Sequence, residues 1–196
     1  MRRTLAPLLT LAALLAGPPA WAQVTTGGVP ATGAESKALP KAGKPLAEAD
    51  RSFLEGAIGT AIYTVEASRL AAERSDNEEV QQLAETLLTS QKGLHDDLTA
   101  IANDQGALPA AELDPPRSAM LEQLRQVGDG GFDQLWLEQQ VDSQRRAVEL
   151  YQQAAAGSQD GVLSSMARDA LPTLQENLGA LEQAAGAGMA QNQAPR

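Results

Sequence analysis

The chain has 196 residues, 25 acidic against 15 Lys+Arg side chains for a formal charge of -10, no cysteine and one histidine. Those counts exclude a disulfide scaffold, a thiolate metal site and any chemistry that needs two histidines. Two each of Phe, Tyr and Trp are too few for a β-sandwich core or an aromatic cofactor cage, and abundant Ala, Leu, Gln and Glu favour helix. Without a basic stripe the chain has nothing to displace phosphate counterions, so nucleic acid is not an expected partner, and anionic membrane surfaces are disfavoured for the same reason.

Arg2 and Arg3 precede an apolar run from Leu5 to Ala16, then Gly17-Pro18-Pro19, then Ala20-Trp21-Ala22 with A-x-A spacing. This is the pattern of a secretory signal peptide over 1–22, cleaved after Ala22. The run is short of the roughly 20 residues that a membrane span needs, so no span is expected after cleavage. Residues 23–46 contain Gly, Pro, Ser and Thr with hardly any large apolar side chain, which reads as a flexible linker. The same composition predicts a disordered tail over 187–196, leaving 47–186 for a helical bundle.

Asp50 is the expected N-cap of a first helix, whose apolar face takes in Phe53, Leu54, Ala57, Ile58, Ala61, Ile62, Val65, Ser68 and Leu70 and runs to about Ala72. Ser75-Asp76-Asn77 is a break with capping chemistry. A second helix carries Val80, Leu83, Leu87, Leu94, Leu98 and Ile101 on one stripe to Asn103. The connection Gly106–Pro116 ends in Asp114-Pro115-Pro116, a helix-start signal, so a short helix from about Arg117 to Val127 is predicted. Gly128-Asp129-Gly130-Gly131 breaks the chain before a third long helix from Phe132 to near Gly157. A fourth runs from about Val162 to Ala185 and is kinked or interrupted by Pro172. The fold class expected is all-α: an antiparallel four-helix bundle, with a short extra helix in the connection between helices two and three. That connection is long enough for a ferritin-like crossover, and a strict up-down-up-down order is equally open.

No GxxxxGK[ST] or GxSxG motif occurs, and the one glycine cluster lies between helices. Asp96-Asp97 and Glu78-Glu79 are sequence neighbours that splay about 100° apart around a helix, which makes them solvated charge and not an acid/base pair. Di-iron bundles need Glu-x-x-His on two helices, and one histidine cannot supply both. No catalytic residue and no cofactor is therefore expected. Four polar residues instead interrupt the apolar stripes at mid-helix: Glu66, Gln91, Gln144 and Asn177. If they meet, they form a buried polar layer that fixes the register of the helices. Pattern fixes side-chain direction only to about a turn, so the same spacing also allows some of the four to face water.

The stretches Ala49–Leu54, Val65–Ala71, Leu108-Pro109 through Leu113-Asp114, Phe132-Asp133 with Gln140–Asp142, Ala147–Tyr151 and Leu171–Leu174 resemble, in order and spacing, the exported ferritin-like bundles of domain-of-unknown-function family 4142. The resemblance spans roughly Asp50 to Ala185 and implies a periplasmic or secreted helical bundle of no established activity. It also implies that relatives carry histidines where this chain has Gln91, Gln144 and Asn177, as candidate metal ligands beside the retained Glu66. Carboxamide oxygens are poor ligands for borderline and soft metals. The leading expectation is thus a non-catalytic binding or envelope-stress module with an unidentified protein or cell-envelope partner. The alternative is a metal-handling bundle with a weak site at Glu66 and His95. Oligomeric state is not legible.

Overall fold

A computed structural model describes residues 46–107 and 112–192; the expected signal peptide and all but the last residue of the linker lie outside the described residues. Among the described residues there are five helices: α1 (Glu48–Arg74), α2 (Glu78–Asp104), α3 (Pro115–Gln126), α4 (Asp129–Gly157) and α5 (Gly161–Asn192).

Three starts follow the local chemistry. Asn77 accepts from the Glu79 N–H at 2.9 Å and Asp114 from the Arg117 N–H at 2.9 Å, each satisfying an amide that has no partner inside its helix. Asp160 accepts from the Val162 and Leu163 N–H groups at 2.9 and 3.0 Å. The first helix differs from expectation: Ala47 is the N-cap, without a side-chain bond, and Asp50 is buried inside the first turn. The third long helix starts at Asp129, so Gly130 and Gly131 belong to its first turn. The roughly 1 kcal/mol that each glycine costs a helix interior is more easily borne at an end, where Asp129 meets the positive pole and is held by Arg74 at 2.8 Å. Pro172 lies within a continuous α5, and that helix runs to Asn192, past the Ala185 end and through part of the expected tail. Gly106 (φ 69°) supplies the left-handed turn that ends α2.

α1 and α2 fold back on each other through three residues, and so do α4 and α5; α1 also packs on α4, α2 on α5, and α3 on α1 and α4. The result is a close-packed all-α bundle. Its core is two apolar clusters. One contains Phe53, Ile58, Leu98, Tyr151, Leu163 and Leu174; the other contains Tyr63, Leu87, Leu124, Phe132, Trp136 and Leu181. Polar contacts tie the element ends. Arg74, at the end of α1, donates to the Leu124 and Val127 carbonyls that close α3 (2.6 and 2.7 Å) as well as to Asp129, and its guanidinium lies 4.5 Å over the Phe132 ring. Gln105, after α2, donates to Asp160 before α5 at 3.0 Å. Among the described residues no helix is long and apolar enough to cross a membrane.

Candidate functional site

The two apolar clusters are separated on α2, α4 and α5 by polar side chains. On α2 the gap between Leu87 and Leu98 holds Ser90 and the buried Gln91, on α4 the gap between Leu137 and Ala147 holds Gln140 and Gln144, and on α5 Asn177 stands between Leu174 and Leu181. Thr64 of α1, next to Tyr63, borders the same level, and Ser68 lies a turn away within the stretch of the second cluster. Cross-helix bonds fix that alignment. The Tyr63 hydroxyl donates to Gln139 Oε1 at 2.8 Å and Trp136 Nε1–H to the Ala67 carbonyl at 3.1 Å, which puts 63–67 of α1 beside 136–139 of α4. Asn177 Nδ2 donates to Ser90 Oγ at 3.1 Å, which does the same for α5 and α2.

Thr64, Ser68, Gln140 and Gln144 are wholly buried and Gln91 nearly so. Both ends of the Gln140 and Gln144 carboxamides, Gln91 Nε2 and the Thr64 hydroxyl have no hydrogen-bond partner among the described residues; outside the layer the same holds for Ser68 Oγ and Thr99 Oγ1. Each such group costs about 1–3 kcal/mol when left unpaired. Six in one layer would take up much of the roughly 5–15 kcal/mol that holds a domain folded.

A cleft of about 410 Å³ opens between α1, α3 and α4, lined by Thr60, Tyr63, Arg117, Met120, Gln123 and Gln139 among others. Arg117 anchors α3 to α1: it pairs with Asp114 on its own helix and donates to Thr60 Oγ1 at 2.9 Å and to the Gly56 carbonyl at 3.2 Å. The approach is close, since a Cβ at Gly59 would lie 3.1 Å from the guanidinium, which would have to give by a few tenths of an ångström. Gln139 Nε2 donates to Gln123 Oε1 at 3.0 Å and to the Met120 carbonyl at 3.3 Å, so the cleft wall and α3 are joined through the residue that receives the Tyr63 hydroxyl. Burial pushes the Tyr63 phenol well above its ordinary value, with the adjacent Gln140 carboxamide acting weakly against it. Tyr63 and Gln139 line the cleft, and the buried Gln140 follows Gln139 on α4.

Of the residues expected from sequence, Gln91, Gln144 and Asn177 are buried and Glu66 is not. Its side chain is 37% exposed and bonded to Arg69 at 2.6 Å. Glu66 is two residues from both Thr64 and Ser68, about 200° around the helix, which turns it away from the face those two occupy. His95 is partly exposed, 3.4 Å from the Asp96 carboxylate. Among the described residues no three His, Asp or Glu side chains are grouped to hold a metal ion, and the carboxamides and hydroxyls of the layer do not fit a transition metal. Thr64 and Gln140 were not anticipated. Gln140 lies four residues from both Trp136 and Gln144 on one stripe, a signal present in the sequence; Thr64 carries no signal beyond its spacing from Ser68.

Fold and site define an all-α helical-bundle protein with a neutral polar layer across its core. The chain belongs to the family described as domain of unknown function DUF4142, whose model matches residues 35–184. A DUF305 fragment from Deinococcus radiodurans, known from a crystal structure, has a similar fold: TM-score 0.64 at 16% identity, over 73% of this chain and 99% of that one. No curated protein matches the chain.

Proposed function

We propose that this is an exported, non-catalytic bundle of ferritin-like connectivity that serves the cell envelope as a binding module. Export is supported by the charged, apolar and A-x-A segments of residues 1–22. The connectivity is supported by the end contacts. Arg74 joins the end of α1 to the start of α4, and Gln105 joins the end of α2 to the start of α5. Neighbouring long helices are then antiparallel, and the connection through α3 returns the length of the bundle.

The observation that carries the binding reading is the burial of Gln140 and Gln144 with both ends of both carboxamides unpartnered. Carboxamides and alcohols neither gain nor lose a proton in the physiological range, so they recognise and orient but do not serve as acid, base or charged ligand. The metal-handling alternative finds no support in Glu66, which is committed to Arg69.

The test is the intact mass and elemental content of protein isolated from the periplasm of a host expressing the full chain. The expected product begins at Gln23 and carries no stoichiometric transition metal. Retention of residues 1–22 in the cytoplasm would remove export, and one bound transition metal per chain would remove the neutral-layer reading.

A further inference from the structure

We propose that the polar layer is a binding site for small uncharged molecules that both donate and accept hydrogen bonds, entered from the cleft beside α3 past the Tyr63–Gln139 pair. The inference rests on the binding reading above and adds the ligand class and the route.

The class follows from what the layer offers. Each unpartnered carboxamide presents an acceptor oxygen next to a donor nitrogen, and Thr64 supplies a hydroxyl that does either. A ligand that satisfies them must carry both functions within one or two bonds, as water, a primary amide or a small polyol does. Charge is excluded by the surroundings. The layer contains no ionisable side chain, its two sides are apolar clusters, and a lone ion moved there would lose its hydration without a counter-charge.

The route follows from the contacts. Gln139 faces the cleft and holds the Tyr63 hydroxyl, the Gln123 side chain and the Met120 carbonyl together. Rotation of this one side chain breaks its bonds to Tyr63, Gln123 and Met120 together, and Gln140 is the next residue on α4. On the opposite side of the bundle, the Asn177–Ser90 bond joins α5 to α2 at the same level.

The experiment uses the purified mature protein. Melting is followed against acetamide and glycerol, with acetate and methylammonium as charged counterparts, in wild type and in Gln140→Leu, Gln144→Leu and the gentler Gln140→Met. Water-to-protein NOEs are recorded in parallel to detect long-lived internal water at the glutamine side-chain amides. A saturable rise of about 3 °C or more with acetamide or glycerol, lost in the Gln140 and Gln144 variants, supports the site with an organic solute. Long-lived water at those amides without a solute response supports it with water as the occupant. Neither signal, or protection by the charged probes alone, overturns it.

Tyr63→Phe tests the route. Exchange of the bound molecule is expected to become at least several-fold faster, and an unchanged exchange rate would refute entry at this point. Export is measured separately, so a dry, unresponsive layer in an exported protein would remove the site and leave the envelope location intact.

Discussion

Tyr63 and Tyr151 are the chain's two tyrosines, both phenols are buried, and burial raises both pKa values, with the Asp97 carboxylate adding to the effect at Tyr151. In the unfolded chain each ionises near pH 10. Stability from this source is therefore complete below about pH 10 and falls as pH climbs towards the folded-state values, by up to about 1.4 kcal/mol per pH unit for each tyrosine. Tyrosinate absorbance is expected to appear in one step together with loss of helical circular dichroism. A gradual titration near pH 10 with the helices intact would mean that the phenols reach water in the folded protein. At Glu66 the opposite insensitivity is expected. Its partner Arg69 is more than half exposed, and exposed pairs contribute about 0–1 kcal/mol. Glu66→Gln should change the denaturation free energy by less than about 0.5 kcal/mol, and a loss above about 2 kcal/mol would return Glu66 to the interior. The sequence left Glu66 free to face inward or to water, and Ile62 and Leu70, which flank it at helical spacing, are only partly buried. The inward face of α1 runs instead through Ala57, Ala61, Thr64 and Ser68, and small residues give a weak periodic signal.

Helix α3 has only two buried side chains, Leu121 and Leu124, so much of its attachment is polar and lies at its two ends. Arg117 holds the first turn and Arg74 the last. Arg74→Ala strips two C-terminal carbonyls and Asp129 of their donor and removes the cation above Phe132. A loss of about 2 kcal/mol is expected, with faster amide exchange concentrated from Leu124 to Val127. Equal acceleration throughout the bundle would show that α3 has no independent opening. The start of this helix was legible because Asp114-Pro115-Pro116 combines an N-cap with residues that need no amide partner. Its anchoring was not. Arg74 and Arg117 read as ordinary charges until the chain brings the ends of α1 and α3 together, and Gly59, beside the Arg117 guanidinium, interrupts a helix pattern without stating why.

The order of the helices is where sequence had least to say, since a 27-residue α2 is about 40 Å long and the connection after it could end at either pole. Twelve residues of α3 cover about 18 Å, and a chain can reach up to about 3.3 Å per residue over the connecting segments. A full-length return is therefore sterically ordinary, but so is a hairpin at the near end. The two orders place different residues together. In a ferritin-like crossover the ends of α2 and the start of α5 share a pole, and Gln105 meets Asp160; in an up-down-up-down bundle those residues are separated by the length of a helix. The chain has no cysteine, so Gln105→Cys with Asp160→Cys introduces the only two thiols. A short bis-maleimide is expected to close an intramolecular loop in the folded double variant at high yield and to leave the single variants uncross-linked. Both side chains lie in turns, so the pair should not disturb the layer at Gln140 and Gln144. If the double variant instead reacts as two separate thiols, while a Gln105 to Asp129 pair closes, the bundle runs up-down-up-down, and α3 would have to lie across one end of the bundle instead of along α1 and α4.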